Sequence, residues 1–157
     1  MKSLFKKICI SSDHAGFKLK ERIKLFLVKN NISTIDLGPN SSVSVDYPDY
    51  AKKVGNRVRQ KKSDVGILVC GSGTGMAISA NKIRGIRAAN CFNIKSSYLC
   101  RSHNNVNVLC LGARIIKNKD VMKIVKAFLT TKFEGGRHKR RVTVSYTHLR
   151  AHETSRY

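Results

Sequence analysis

Val69-Cys70-Gly71-Ser72-Gly73-Thr74-Gly75 ends the apolar run from Asp64 to Cys70 on a glycine-rich turn and leads into Met76-Ala77-Ile78-Ser79-Ala80-Asn81-Lys82. An apolar run of strand length, bounded by glycines and followed by a helical stretch, reads as a strand buried on both faces. The same strand, loop and helix order recurs on either side. Upstream, Ile8-Cys9-Ile10-Ser11 breaks at Ser12-Asp13-His14-Ala15-Gly16, and Phe17, Leu19, Ile23, Phe26 and Leu27 then fall near helical spacing up to Lys29. Ile32 to Leu37 reads as a second strand, closed by Gly38-Pro39-Asn40-Ser41-Ser42, and Tyr47-Pro48 opens a helix to about Gln60 with proline in its first turn. Downstream, Ile86 to Phe92 is a fourth strand, Ile94 to His103 a helix, Val106 to Ala113 a fifth strand and Lys119 to Thr131 a helix. Strands alternating with helices predict a three-layer α/β/α, Rossmann-like (flavodoxin-like) fold around a five-stranded parallel sheet, with 2-1-3-4-5 as the natural order.

A chain of 157 residues, 41% of them hydrophobic, suffices for one core and not two. Only 2 Pro and 11 Gly exclude collagen-like and low-complexity classes. No apolar run approaches the ~20 residues of a membrane helix, and no secretory apolar region follows Met1, so no membrane partner is expected. Cys9, Cys70, Cys91, Cys100 and Cys110 are odd in number and form no C-x-x-C, which favours reduced thiols in the cytoplasm. The net charge of +22 raises the possibility of a nucleic-acid partner. Against it, the chain has no helix-turn-helix, zinc finger or RNP motif, and 7% aromatic residues give no stacking stripe. The lysines, as in Lys18, Lys20, Lys24 and Lys29, read as solvated helix faces.

With strand one beside strand three, Asp13-His14 and the Cys70 to Gly75 loop face each other at the carboxyl edge of the sheet, where open α/β sheets bind ligands. A glycine turn feeding a helix N-terminus is an anion cradle. It is not a dinucleotide fingerprint, since the spacing is G-x-G-x-G on the third strand and residues 91 to 97 contain no acid; nor is it a Walker A loop, since no G-K-[ST] follows. Cys70 is then either a thiolate base or nucleophile beside the cradle or one more small buried residue. Arg114 follows the fifth strand at the same edge. Arg137 and Arg141, four apart, share one face if their stretch is helical and would suit one phosphate; otherwise they belong to a solvated basic tail. His14 and His103 fall at element ends. Cys100-x-x-His103 has no second pair, so no metal is expected.

Ser12-Asp13-His14-Ala15-Gly16-Phe17, Asp46-Tyr47-Pro48, Val69 to Gly75, Asn81-Lys82-Ile83-Arg84-Gly85-Ile86-Arg87-Ala88, His103-Asn104, Gly112-Ala113-Arg114 and Glu134-Gly135-Gly136-Arg137-His138 occur in this order. Together they closely resemble the type B ribose-5-phosphate isomerase family, which also includes galactose-6-phosphate isomerase subunits. The likeness spans about residues 5 to 142. It implies an enzyme without metal or cofactor that interconverts D-ribose 5-phosphate and D-ribulose 5-phosphate, working as a homodimer or homotetramer with sites shared between subunits. By the same resemblance, Cys70 is the base, the amides of Gly71, Ser72, Gly73, Thr74 and Gly75 with the Ser72 hydroxyl stabilise the enediolate, and His103 assists ring opening. Asp13 and Asn104 would hold sugar hydroxyls, Tyr47 would wall the pocket, and His14, Arg114, Arg137 and Arg141 would clamp the phosphate. A six-carbon substrate, galactose 6-phosphate or allose 6-phosphate, is the alternative within the family. Part of the family uses a glutamate base in the loop region; Thr74 and Met76 offer no carboxylate here.

The isomerase domain is therefore expected at 1–142. Residues 143–157, Thr143-Val144-Ser145-Tyr146 onward, do not resemble the family's C-terminus; they read like a translated adaptor sequence and are expected to be a non-native or disordered tail.

Overall fold

The computed structural model describes residues 1–154, with side chains through His148. Strands β1 (Ile8–Ser12), β2 (Thr34–Asp36), β3 (Val65–Cys70), β4 (Ala88–Asn90) and β5 (Val108–Gly112) form one parallel sheet. They alternate with α1 (Phe17–Lys29), α2 (Tyr47–Arg59), α3 (Thr74–Asn81), α4 (Ile94–Ser102) and α5 (Asn118–Thr130), and α6 (Gly136–Thr154) follows.

The two-residue period of the central strands divides the core between two layers. Ile8, Ile10, Val65, Ile67, Val69, Leu109 and Leu111 pack with Leu19, Ile23 and Leu27 of α1 and with Val121, Ile124 and Phe128 of α5. The alternate positions Cys9, Leu68, Cys70, Val108 and Cys110 pack with Ala51, Val54 and Val58 of α2 and Met76 and Ala80 of α3. Cys70 thus faces the layer that carries Tyr47 and the α3 N-terminus.

The strand order is β2-β1-β3-β5-β4, which corrects the expected exchange-free order 2-1-3-4-5. A position inside the sheet requires a strand apolar on both faces and paired along both edges. Every residue of β5 is buried, whereas β4 is three residues long and only half-buried, so β5 takes the inner place and β4 the edge. A second correction concerns Lys20. It is fully buried rather than solvated, because its Nζ reaches across from α1 to both Asp36 carboxylate oxygens, each at 2.9 Å, and to the Pro39 carbonyl.

Of the expected tail, residues 143–154 continue α6 as helix and residues 155–157 lie outside the described residues. No helix among the described residues is long and apolar enough to cross a membrane.

Candidate active site

The glycine turn wraps the thiol at the end of β3. Gly73 N–H donates to Cys70 Sγ at 3.1 Å, which fixes the sulfur inside the turn. The turn needs Gly73 at φ 80°, and a Cβ there would stand 2.2 Å from Asn90 Oδ1. Asn90 in turn donates from Nδ2 to the Ser72 carbonyl at 3.1 Å and to Thr74 Oγ1 at 3.3 Å, pinning both sides of the turn from the edge strand. The Thr74 N–H, at the first residue of α3, donates to Ser72 Oγ at 3.3 Å, so cradle and helix N-terminus are continuous.

The neighbouring loops converge on this turn. Arg114 N–H donates to the Gly71 carbonyl at 2.9 Å, and its guanidinium lies close over Gly71. The Tyr47 ring packs on Gly75, where a Cβ would come within 2.8 Å of it. Asp13 N–H donates to the Val69 carbonyl, and its buried carboxylate accepts the Gly16 N–H at 2.9 Å, which fixes it beside β3. His14 Nδ1 accepts the Val45 N–H at 3.2 Å, assigning the imidazole proton of the neutral ring to Nε2. Thus Asp13, His14, Tyr47, Arg114 and the Cys70 to Gly75 turn meet at the carboxyl edge.

His103, Asn104, Arg137 and Arg141 do not join them within one chain. β5 pairs Val108 with Gly66 at one end and Gly112 with Cys70 at the other, and His103 and Asn104 precede its start. Four strand steps alone separate the two ends by at least ~13 Å. At this amino edge, α6 lies beside β4 around a cavity of about 510 Å³ lined by His103, Asn104, His138 and Arg141. The Arg137 to Arg141 stretch is helical, which places both arginines toward one face of α6.

Two further residues at this edge were quoted in the sequence motif without a role. The His103 and His138 rings stack with centroids 4.1 Å apart and planes at 11°. Glu134 Oε2 lies 4.0 Å from His103 Nε2 and 3.5 Å from His138 Nε2, and the Glu134 N–H donates to the Ser102 carbonyl at 3.0 Å. Burial, with the adjacent His103 and Arg137, holds His138 below the usual histidine range. The E-x-x-x-H spacing beside the arginine pair was the available signal; that it would face His103 depends on the α5 to α6 connection.

The arrangement supplies a thiol, backbone N–H groups and a fixed carboxylate at one edge, with an imidazole and guanidinium groups at the other. The Ribose/Galactose Isomerase family pattern matches residues 8–144. Ribose-5-phosphate isomerase B of Escherichia coli (strain K12) is 45% identical over 137 residues, 87% of this chain and 92% of that protein. The Clostridium thermocellum ribose-5-phosphate isomerase B structure aligns with a TM-score of 0.91 at 42% identity, covering 93% of this chain and 99% of that one. The Mycoplasma genitalium ribose-5-phosphate isomerase B, solved with bound ribulose-5-phosphate, aligns with a TM-score of 0.87 at 41% identity, covering 92% and 96%.

Proposed function

The chain belongs to the ribose/galactose isomerase family, and from that premise we propose how its own residues interconvert D-ribose 5-phosphate and D-ribulose 5-phosphate. His103 donates a proton to the ring oxygen as the C1–O4 bond of the furanose breaks, and the O1 hydroxyl releases its proton to water as the C1 carbonyl forms. Cys70, as thiolate, takes the C2 proton of the open aldose and the C2–H electron pair moves into the C1–C2 bond. The charge that develops on oxygen is met by the Gly71 to Gly75 amides and the Ser72 hydroxyl, the Gly73 N–H turning from Cys70 Sγ and the Thr74 N–H from Ser72 Oγ as they join. Return of the proton to C1, with transfer of the hydroxyl proton between O2 and O1, yields the ketose. Asp13 and Asn104 hold sugar hydroxyls, Tyr47 walls the pocket, and His14, Arg114, Arg137 and Arg141 hold the phosphate.

Because the two residue groups lie at opposite sheet edges, this set closes only where the amino edge of one copy meets the carboxyl edge of another. The working unit is then a homodimer or homotetramer, and a two-fold axis makes two such sites at once. A cytoplasmic setting, with Cys70 reduced, fits the thiolate chemistry. The isomerase unit is residues 1–142, with 143–157 as an added tail; the family match ending at residue 144 supports that division.

The observation that carries the reading is the Gly73 N–H on Cys70 Sγ at the mouth of an anion cradle. A coupled assay of the purified protein on ribose 5-phosphate, galactose 6-phosphate and allose 6-phosphate tests it. Turnover is expected on the five-carbon substrate; turnover confined to a six-carbon sugar, or none at all, would overturn it.

A further inference from the structure

We propose that His103, Glu134 and His138 form a binding site for one zinc-like transition-metal ion, and that its occupancy inhibits the enzyme by taking His103 out of proton transfer. The donor atoms lie within 4.8 Å of one another. Two imidazole nitrogens and one carboxylate oxygen are a ligand set suited to zinc, copper or nickel, with one coordination position left open. Zinc bonds of ~2.1 Å place tetrahedral donors about 3.4 Å apart. The His138 Nε2 to Glu134 Oε2 separation is 3.5 Å, already at that spacing. His103 Nε2 stands 4.0 Å from the same oxygen, and its side chain is 39% exposed, so a swing of the ring, out of its stack on His138, completes the set.

The elements hold the donors together without the ion. Glu134 is tied to the end of α4 through Ser102, and His138 lies in the first turn of α6 with its N–H on the Gly135 carbonyl. His103 and His138 line the cavity together with Asn104 and Arg141, so an ion held there is reached from that cavity. Cys100 is not part of the set: its Sγ lies in the core, 3.6 Å from Cys91 Sγ. Arg137 and Arg141 on α6 and Arg87 across the cavity oppose a dication, which limits affinity and suits a reversible inhibitor better than a resident ion.

Binding does not depend on the isomerase reading, whereas the inhibitory consequence does. The test is titration of chelator-stripped protein with Zn²⁺ against a chromophoric chelator, and with Co²⁺ by visible absorption. One ion per chain and the intense visible bands of four-coordinate cobalt are expected. Glu134→Gln and His138→Gln should each weaken Zn²⁺ binding at least about tenfold, while Cys70→Ser retains it. Absence of binding at ~100 μM Zn²⁺, or equal binding by wild type and Glu134→Gln, would overturn the site. Activity is read separately on ribose 5-phosphate. Zn²⁺ inhibition should be reversed by chelator and shifted to higher Zn²⁺ in Glu134→Gln; inhibition unchanged by that substitution would overturn the consequence, even in a protein whose isomerase activity is plain.

Discussion

Gly73 N–H points at Cys70 Sγ from 3.1 Å, so the residue that shapes the cradle also holds the thiol. Cys70 closes β3 and its side chain is buried in the layer of α2 and α3, which leaves the sulfur little room to turn away from that hydrogen bond. Replacing Cys70 by Ala removes the proposed base and keeps the amides. Isomerisation should fall by about 10²–10⁴-fold or more, with ribose 5-phosphate binding by calorimetry largely retained. Near-normal turnover in the coupled assay would remove Cys70 from the reaction.

Gly73→Ala acts on the other partner of the same bond. The residue sits at φ 80°, and the added Cβ would meet Asn90 Oδ1 at 2.2 Å and the Leu111 carbonyl carbon at 3.0 Å. The Asn90 side chain can yield only by giving up its bonds to Ser72 and Thr74, and the Leu111 backbone and the left-handed conformation do not yield. A loss of about 1–3 kcal/mol in stability is expected, with a larger loss of kcat as the N–H leaves the sulfur. Thermal unfolding and kinetics measured together check this; a native kcat in the variant would show the cradle to be adaptable.

The residues that were legible in sequence owe their clarity to local signals. The apolar runs of β1, β3 and β5 and the glycine turn after β3 identify the layers and one edge of the site without tertiary knowledge. The position of β5 inside the sheet is not local: it follows from competition between a fully buried strand and the shorter β4 for the second edge of β3. Lys20 is a similar case. Its neighbours Leu19 and Ile23 mark the buried face of α1, but it takes the approach of Asp36 from β2, with the Pro39 carbonyl beyond it, to supply distant partners that allow an ammonium group there. The separation of His103 from Cys70 was hidden for the same reason, since linear order does not say which sheet edge a loop occupies.

Asp36 should make stability pH-dependent. Burial raises the pKa of its carboxyl, but hydrogen bonds from Lys24, Lys20 and the Gly38 N–H outweigh that and bring it below the ordinary aspartate value. A depressed folded pKa contributes stability that is present above the unfolded value of about 3.9 and is lost as pH falls through the folded one. Chemical denaturation should therefore show stability declining below about pH 4, with this part of the slope absent in Asp36→Asn. At neutral pH, Asp36→Ala leaves the buried Lys20 ammonium with the Pro39 carbonyl and the Glu21 carboxylate at 3.4 Å, which offsets part of the loss of about 3–5 kcal/mol expected for breaking a buried pair. A variant within ~0.5 kcal/mol of wild type would deny the pair its role.

Arg137 is exposed at the start of α6, one turn from Arg141. If it contacts the phosphate, which reacts at neither carbon, its contribution is shared by ground and transition states. Arg137→Ala should then raise KM by about tenfold, with kcat changed much less. Steady-state kinetics over a range of ribose 5-phosphate decides it, and an unchanged KM would exclude the contact.

The separation of Cys70 from His103 leads to the most selective experiment. If each site combines the carboxyl edge of one copy with the amino edge of another, Cys70→Ala and His103→Ala damage different halves. Each variant alone has two defective sites per dimer. Mixed under conditions that allow subunit exchange, half of the dimers pair one copy of each. Such a dimer has one site missing both groups and one site with both intact, so the mixture should recover about a quarter of wild-type activity. Two variants damaged in the same half, Cys70→Ala and Gly73→Ala, should recover nothing beyond their own activities. Recovery by neither mixture, with exchange verified by mass-labelled subunits, would mean that His103 serves no site containing the Cys70 of another copy.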